Sequence, residues 1–183
     1  MKKIPTIIHD AWVLKPTVFG DARGFFLESW SRETFRSNGL DLDFVQDNHS
    51  RSSRHVLRGL HYQAGAAAQG KLVWVSSGMV FDVLVDLRRS SPTFGACSGY
   101  VLNAETHDRI YVPPGCAHGF LTMSEVADFH YKATAPYDPA SERCLLWNDR
   151  SLAIDWPLEN GTGPILSEKD KSAASFEECE KYE

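Results

Sequence analysis

Short stretches in which apolar and polar residues alternate recur along this 183-residue chain. The most regular covers residues 79–87, where Met79 and every second residue after it are apolar, whereas the intervening positions include Asp82 and Asp86. Successive side chains of a β-strand point to opposite faces, so this pattern predicts a strand with one apolar and one semi-polar face. Further candidate strands cover residues 71–75, 100–102, 109–112, 120–123, 128–135 and 143–147.

Turn-forming residues separate these candidate strands. Glycine, proline or serine are frequent in residues 76–78, 91–92, 113–115 and 136–139, and such clusters interrupt regular structure. Short strands at this spacing favour a sandwich or barrel over a parallel sheet. We therefore predict an all-β fold.

Two short helices are the exceptions to this pattern. Residues 32–38 lie between Ser31, a suitable N-cap, and Gly39, a suitable C-terminal stop. Ser167 and Asp170 fit a capping box, which predicts a helix running toward Glu178. Because no repeat, low-complexity segment or linker divides the chain, we predict a single domain over residues 1–183.

Composition and charge exclude several classes of protein. With 43% hydrophobic residues the chain is too apolar for a disordered protein, and its net charge of −5 disfavours a general nucleic-acid binder. No run reaches the about 18 apolar residues that a membrane-spanning helix needs, and residues 1–10 lack the apolar stretch of a signal peptide. We expect a cytoplasmic protein without nucleic-acid or membrane partners. Cys97, Cys116, Cys144 and Cys179 form no CxxC pair, so we expect reduced thiols.

Seven histidines raise the question of a metal centre. Small β-barrels of the cupin type often hold a metal on an H-x-H pair, a carboxylate and a later histidine. Here His61 stands alone where the pair would be, and His118 ends a P-x-G-x-x-H sequence. Since three protein ligands are the usual minimum for a catalytic metal, we expect no metal, although a metal-dependent cupin remains an alternative.

Without a metal, His61 is a candidate general base, because its ordinary pKa of about 6.5 suits proton transfer at neutral pH. A strand histidine is more often a hydrogen-bonded surface group. Strict alternation would place Arg58 and His61 on opposite faces, so a shared pocket requires a bulge near Gly59. Tyr131 is predicted to point inward, either as a core residue or as a proton donor.

Asp170 and Arg23 each have two possible roles. Asp170 either caps a helix or orients an imidazole and stabilises its protonated form. Arg23, in a turn followed by aromatic residues, is either solvated or bound to a phosphate.

Motifs throughout the chain match one family. They lie in residues 19–28, 44–52, 56–63, 69–73, 80–83, 85–88, 91–95, 117–121, 146–149, 154–157 and 166–170. On these motifs the chain resembles the dTDP-4-dehydrorhamnose 3,5-epimerases of rhamnose biosynthesis. The resemblance implies a cupin-type jelly-roll β-barrel that acts as a homodimer without metal or cofactor and binds a dTDP-linked sugar inside the barrel.

The resemblance also implies roles for individual residues. His61 would be the general base, Tyr131 the general acid, and Asp170 the partner of His61, with Lys71 near the C4 oxygen of the sugar. Tyr137 would stack on thymine. Arg23 would come from the neighbouring subunit. The substrate contacts implied are Arg23, Glu28, Gln46, Asn48, Arg58, Lys71, His118, Tyr137, Glu142 and Lys169.

The implied reaction is epimerisation at C3 and C5 by proton removal and return next to the C4 ketone, which involves no net oxidation. The chain departs from the family pattern at Trp74, Cys116 and His130 and in the tail after Lys171. None of these departures removes a proposed catalytic group. They leave two alternatives open, namely an epimerase acting at C3 alone and a non-catalytic barrel that binds a sugar nucleotide.

Overall fold

Two antiparallel β-sheets face each other in this computed structural model, which describes residues 1–159 and 161–183. The strands are β1 (Lys2–Pro5), β2 (Trp12–Lys15), β3 (Val18–Asp21), β4 (Gly24–Leu27), β5 (Gln46–Ser53), β6 (Leu57–Gln63), β7 (Lys71–Ser77), β8 (Met79–Asp86), β9 (Cys97–Asn103), β10 (Arg109–Val112), β11 (Cys116–Thr122), β12 (Val126–Ala133) and β13 (Glu142–Cys144). One sheet has the order β1-β2-β10-β7-β12-β5 and the other β13-β6-β11-β8-β9, while β3 and β4 form a separate hairpin. The predicted all-β barrel with few short helices is confirmed.

Apolar side chains from both sheets fill the space between them. Val73 on β7, Ile110 on β10 and Phe129 on β12 meet Leu84 on β8 and Phe120 on β11. The ring centroids of Phe120 and Phe129 are 4.1 Å apart and nearly parallel. This interior core joins the two sheets and borders the candidate site, since Phe120 and Phe129 also line its cavity.

Strand β8 shows how both faces of one strand become buried. Val83 and Val85 pack beneath the C-terminal segment, whereas Val80 and Leu84 face the interior between the sheets. The interior face also carries Asp82, whose side chain is fully buried. The predicted semi-polar face is therefore the inner one. The apolar face points outward, where later parts of the chain cover it.

Each sheet has a covering layer on its outer side. Trp156 and Cys179 of the C-terminal segment pack on the five-stranded sheet, and Tyr182 joins them. Helix α1 (Arg32–Ser37) places Phe35 against the outer face of the six-stranded sheet. No helix among residues 1–159 and 161–183 is long and apolar enough to cross a membrane.

Both predicted helices form, but one is shorter than expected. Helix α1 begins at the Ser31 cap, whose side chain accepts a hydrogen bond from the Thr34 amide. Helix α2 (Glu168–Lys171) has only four residues, so the extension toward Glu178 is wrong. The chain turns away because Ala174 exchanges backbone hydrogen bonds with Cys144 and Leu146 at the edge of the sheet.

Candidate active site

A cavity of about 180 Å³ opens between the two sheets. The six-stranded sheet contributes side chains from β5, β7 and β12, and the five-stranded sheet contributes side chains from β6 and β11. Five of its lining residues are among those singled out in the sequence. The lining consists of Ser50, Arg58, His61, Lys71, His118, Gly119, Phe120, Phe129 and Tyr131.

A bulge in β6 brings Arg58 and His61 to this one cavity. His61 pairs with His118 and Arg58 pairs with Phe120, so two residues of β6 lie opposite the single residue Gly119. Gly59 has a φ of +117°, a conformation that disfavours other residues, and a Cβ there would lie 2.6 Å from the Cα of Gly119. The predicted bulge near Gly59 is confirmed. Its positive φ and its close approach to Gly119 both require glycine at this position.

His61 and Asp170 form a short hydrogen-bonded pair. The distance between His61 Nε2 and Asp170 Oδ1 is 2.6 Å, and Asp170 is only 2% exposed. Ser167 Oγ donates to the other carboxylate oxygen over 2.7 Å and accepts from the Asp170 amide over 3.2 Å. Asp170 therefore takes part in the hydrogen bonds of the first turn of α2 and also holds the imidazole of His61.

The protonation of this pair follows from burial and hydrogen bonding. Burial by itself would raise the pKa of Asp170, but hydrogen bonds from His61 and Ser167 outweigh it and hold the pKa at about 2. Burial lowers the pKa of His61 by more than the contacts with Asp170 raise it. At neutral pH the carboxylate is ionised and the imidazole neutral, so Nε2 donates to Asp170 and Nδ1 keeps its lone pair.

Lys71 lies between His61 and Tyr131. Its Nζ donates to the backbone carbonyl of His61 over 3.4 Å and is 5.9 Å from the centroid of the Tyr131 ring. Desolvation lowers the pKa of Lys71 to about 8, although Asp82 and Glu142 act in the opposite direction. The ammonium is thus charged at neutral pH but loses its proton more easily than an exposed lysine does.

Asp82 is a buried partner of His118 that the sequence analysis did not identify as part of a site. His118 Nε2 donates to Asp82 Oδ2 over 2.8 Å, and both side chains are buried. Burial raises the pKa of Asp82, while His118 and Lys71 act against the increase. A buried aspartate needs a hydrogen-bonding partner. The position of Asp82 among the apolar residues of β8 could therefore have indicated this pair from the sequence.

Tyr131 points into the cavity, as the alternation of β12 predicts. Phe129 and Ala133 are buried on the same side, whereas His130 lies on the outer face with its ring stacked on Trp74, 5.5 Å between centroids. Burial raises the pKa of Tyr131, so its hydroxyl stays protonated at neutral pH. Trp74 and His130, two departures from the family pattern, therefore contact each other away from the cavity lining.

A hydrogen-bonded group of polar residues connects β5, β13, α2 and the turn after β12. Gln46 accepts from the amide of Tyr137 over 2.9 Å and donates to Asn48 over 2.9 Å. Glu142 accepts from the hydroxyl of Tyr137 over 3.2 Å and from Lys169 over 2.8 Å. All five residues were predicted as substrate contacts. Asn48 also pairs with Tyr131 in the sheet, so this polar group begins next to the cavity.

Two predicted contact residues lie elsewhere in this chain. Arg23 is at the tip of the β3–β4 hairpin, where its side chain is 90% exposed and pairs with Asp21 over 2.6 Å. Glu28 lines a separate cavity of about 260 Å³ beside α1. Within one chain, neither residue lines the cavity that contains His61.

Cys144 is a second residue that the sequence analysis left outside the site. It lies opposite His61 in the pairing of β13 with β6. Its Sγ donates to Asp170 Oδ1 over 3.5 Å. Burial and the nearby Asp170 raise the pKa of this thiol to about 12. Only the pairing of β13 with β6 brings Cys144 close to His61, because 83 positions separate the two residues in sequence.

Comparison with known proteins identifies relatives over nearly the whole chain. A sequence profile of the dTDP-4-dehydrorhamnose 3,5-epimerases matches residues 5–178. The dTDP-4-dehydrorhamnose 3,5-epimerase of Pseudomonas aeruginosa is 51% identical over 183 residues, covering 100% of this chain and 99% of the relative.

Solved structures agree with the sequence comparison. A dTDP-6-deoxy-D-glucose-3,5-epimerase of Legionella pneumophila, solved in complex with dTDP-4-keto-L-rhamnose, is 45% identical, with a TM-score of 0.93 over 98% of this chain and 94% of that one. A 3′-monoepimerase of Streptomyces bikiniensis, solved with dTDP-quinovose, is 33% identical, with a TM-score of 0.88 over 94% of this chain and 87% of that one. Together with the matched profile, these similarities show that the chain belongs to the dTDP-4-dehydrorhamnose 3,5-epimerase family.

Proposed function

We propose that this protein is an isomerase that inverts C3 and C5 of dTDP-4-dehydro-6-deoxy-D-glucose, giving dTDP-4-dehydro-L-rhamnose. The observation that carries the proposal is that one cavity is lined by His61, held by Asp170, and by Tyr131 and Lys71. These groups supply a base, an acid and a positive charge, which are what proton exchange beside a ketone needs. Relatives named as 3,5-epimerases are also more similar to the chain than the named 3′-monoepimerase.

His61 is the proposed general base. Its Nε2 is occupied by Asp170, so Nδ1 accepts the proton from the carbon next to the C4 ketone. The ionised Asp170 then stabilises the imidazolium that forms and keeps the ring in one orientation. A positioned proton-transfer group of this kind contributes about 10²- to 10⁴-fold to a rate.

Removal of this proton leaves negative charge on the C4 oxygen. Lys71 lines the same cavity and is the proposed group that stabilises the enolate through its ammonium charge. Tyr131, protonated at neutral pH, returns a proton to the opposite face of the carbon, which inverts its configuration. The imidazolium of His61 then releases its proton to solvent and the Tyr131 phenolate takes one up, which resets both groups. Repetition at the second carbon completes the double epimerisation, and each carbon gains one proton for the one it loses.

The polar group beside the cavity is the proposed site for the nucleotide. Tyr137 is half exposed and stacks on thymine, while Gln46, Asn48, Glu142 and Lys169 contact the substrate. Arg58, which lines the cavity, binds the diphosphate.

The active form is proposed to be a homodimer. The β3–β4 hairpin exposes Phe19, Phe25 and Phe26, the last to 69%, and an exposed apolar patch of this kind is typical of an interface. Docking of this hairpin on a second copy brings Arg23 and Glu28 to the partner's cavity. The cytoplasmic location remains a prediction.

Deuterium exchange tests the reaction directly. The protein is incubated with dTDP-4-dehydro-6-deoxy-D-glucose in deuterated water, and the sugar carbons are followed by NMR. We expect deuterium and inversion at both C3 and C5. Exchange and inversion at C3 alone would instead establish a C3 epimerase.

Two substitutions test whether the barrel is catalytic. His61→Ala is expected to abolish turnover because it removes the proposed base, and Tyr131→Phe is expected to lower turnover by about 10²-fold or more. Binding of dTDP should persist in both variants. Unchanged turnover in His61→Ala would contradict the mechanism and support a non-catalytic binding barrel.

A further inference from the structure

A thiol lies beside the His61–Asp170 pair, and the proposed reaction makes no use of it. Cys144 and His61 are cross-strand partners, which places their side chains on the same face of the sheet. One imidazole nitrogen of His61, one carboxylate oxygen of Asp170 and the Sγ of Cys144 lie within 4.8 Å of one another. Imidazole, carboxylate and thiolate are all ligands of Zn²⁺ in proteins.

We propose that His61, Cys144 and Asp170 form an inhibitory binding site for a soft divalent cation, with Zn²⁺ as the best-fitting ion. The inhibition rests on the proposed function, because it acts by occupying the base. The binding itself does not depend on that function. Three protein ligands leave a fourth position for water, as in other open zinc sites.

One of the distances between the ligand atoms matches that around a tetrahedral ion, and a second is shorter than such an ion requires. Bond lengths of about 2.3 Å to sulfur and about 2.1 Å to oxygen and nitrogen separate S from O by about 3.6 Å, and N from O by about 3.4 Å. The Sγ–Oδ1 distance of 3.5 Å already matches. The Nε2–Oδ1 distance of 2.6 Å is shorter because a proton lies between these atoms. Replacing that proton with a metal ion requires the imidazole to move by about 0.8 Å.

Protons and charges balance in this step. The Cys144 thiol loses its proton to solvent, and the proton on His61 Nε2 transfers to Nδ1 by exchange with solvent. One proton is therefore released for each ion bound. The thiolate and Asp170 together neutralise the two positive charges of Zn²⁺, while Lys71 and Lys169 nearby oppose binding. With its proton on Nδ1, His61 has no lone pair with which to attack a substrate.

The substitution Cys144→Ser distinguishes metal binding at this site from metal binding at other groups on the protein. Zn²⁺ and Co²⁺ are titrated into the wild type, Cys144→Ser and the control Cys97→Ser, whose Sγ lies elsewhere and bonds the Leu152 carbonyl. The measurements are proton release, the thiolate-to-Co²⁺ charge-transfer absorption, and turnover relative to each variant's own metal-free rate. Mg²⁺ serves as the hard-cation control, since it prefers oxygen ligands.

We expect one ion per chain, a charge-transfer band in the wild type and Cys97→Ser, and reversal of inhibition by a chelator. Cys144→Ser should lose the band and weaken Zn²⁺ inhibition by about tenfold or more, because the soft ligand is gone. Equal inhibition of wild type and Cys144→Ser, or an unchanged band in that variant, would overturn the site. A band without loss of turnover would overturn its inhibitory role. The metal-free His61→Ala measurement tests the proposed function separately.

Discussion

Lys71 is the residue whose protonation links the structure to the pH range of activity. The proposed mechanism needs neutral His61 and charged Lys71 at the same time. Burial lowers the pKa of His61, so turnover should decrease only below the ordinary range of histidine. Lys71 has a pKa of about 8, so turnover should decrease again as the pH rises through that value. Tyr131, with a raised pKa, loses its proton only at higher pH.

Replacement of Lys71 by arginine isolates the alkaline decrease. We expect kcat/KM of the wild type to be bell-shaped in pH with an alkaline midpoint near 8. In Lys71→Arg the guanidinium stays charged, so the alkaline midpoint should move upward even if the maximum is lower. A pH titration of kcat/KM on both proteins measures this. An alkaline midpoint that stays in place in Lys71→Arg would assign it to another group.

At the scale of the elements, the bulge in β6 determines which side chains meet. A regular β6 would direct Arg58 and His61 to opposite faces, and the residue that prevents this is Gly59. The opposing strand approaches so closely that Gly119 is also required, since its Cβ would lie 2.6 Å from the carbonyl oxygen of Arg58. The geometry of the site therefore depends on two glycines that carry no functional group.

Gly59→Ala tests this dependence. Backbone strain and the clash with Gly119 should together lower the free energy of unfolding by roughly 2–4 kcal/mol and reduce turnover. Urea denaturation compared with Gly163→Ala measures the effect. At Gly163 no described residue lies within 4 Å of the added Cβ, so this control should change stability little. Similar denaturation midpoints for the two variants would contradict the requirement.

At the scale of the whole molecule, one chain alone does not assemble the complete set of predicted contacts. Arg23 is almost fully exposed on a hairpin whose aromatic residues are also exposed. This arrangement is unfavourable for an isolated chain in water, but it suits a hairpin that inserts into a second copy. The proposed dimer thus accounts for the exposed apolar surface and for the missing contacts together.

Mixed dimers test whether Arg23 acts across the interface. Arg23→Ala and His61→Ala chains are unfolded together and refolded as a mixture. If Arg23 serves the partner's cavity, half of the dimers contain one intact site, so activity should recover to roughly one quarter of the wild-type value. No recovery beyond the separate proteins would place Arg23 in its own chain's site.

The control for this experiment is a mixture of His61→Ala with Tyr131→Phe. Both residues line the cavity of a single chain. Exchange of subunits cannot restore either site, so this mixture should remain inactive.

The amino-acid sequence by itself predicted β7 to β13 and the N-caps of both helices, but it predicted no strand where β1 to β5 form. Alternation is a local property, so it predicted β8 and the inward direction of Tyr131 from neighbouring residues alone. The motifs identified His61, Lys71 and Asp170 because their chemical types and order are readable in one dimension. The sequence also indicated that Gly59 must interrupt β6 if Arg58 and His61 are to meet.

Only the tertiary structure decided which distant residues become partners. Pairing of strands that are far apart in sequence brings Asp82 to His118 and Cys144 to His61. Asp170 reaches His61 and Cys144 from α2. Helix α2 ends early for the same reason, since bonds at the edge of the sheet replace bonds within the helix. Local patterns report which face a side chain occupies. The packing of the two sheets determines what that face meets.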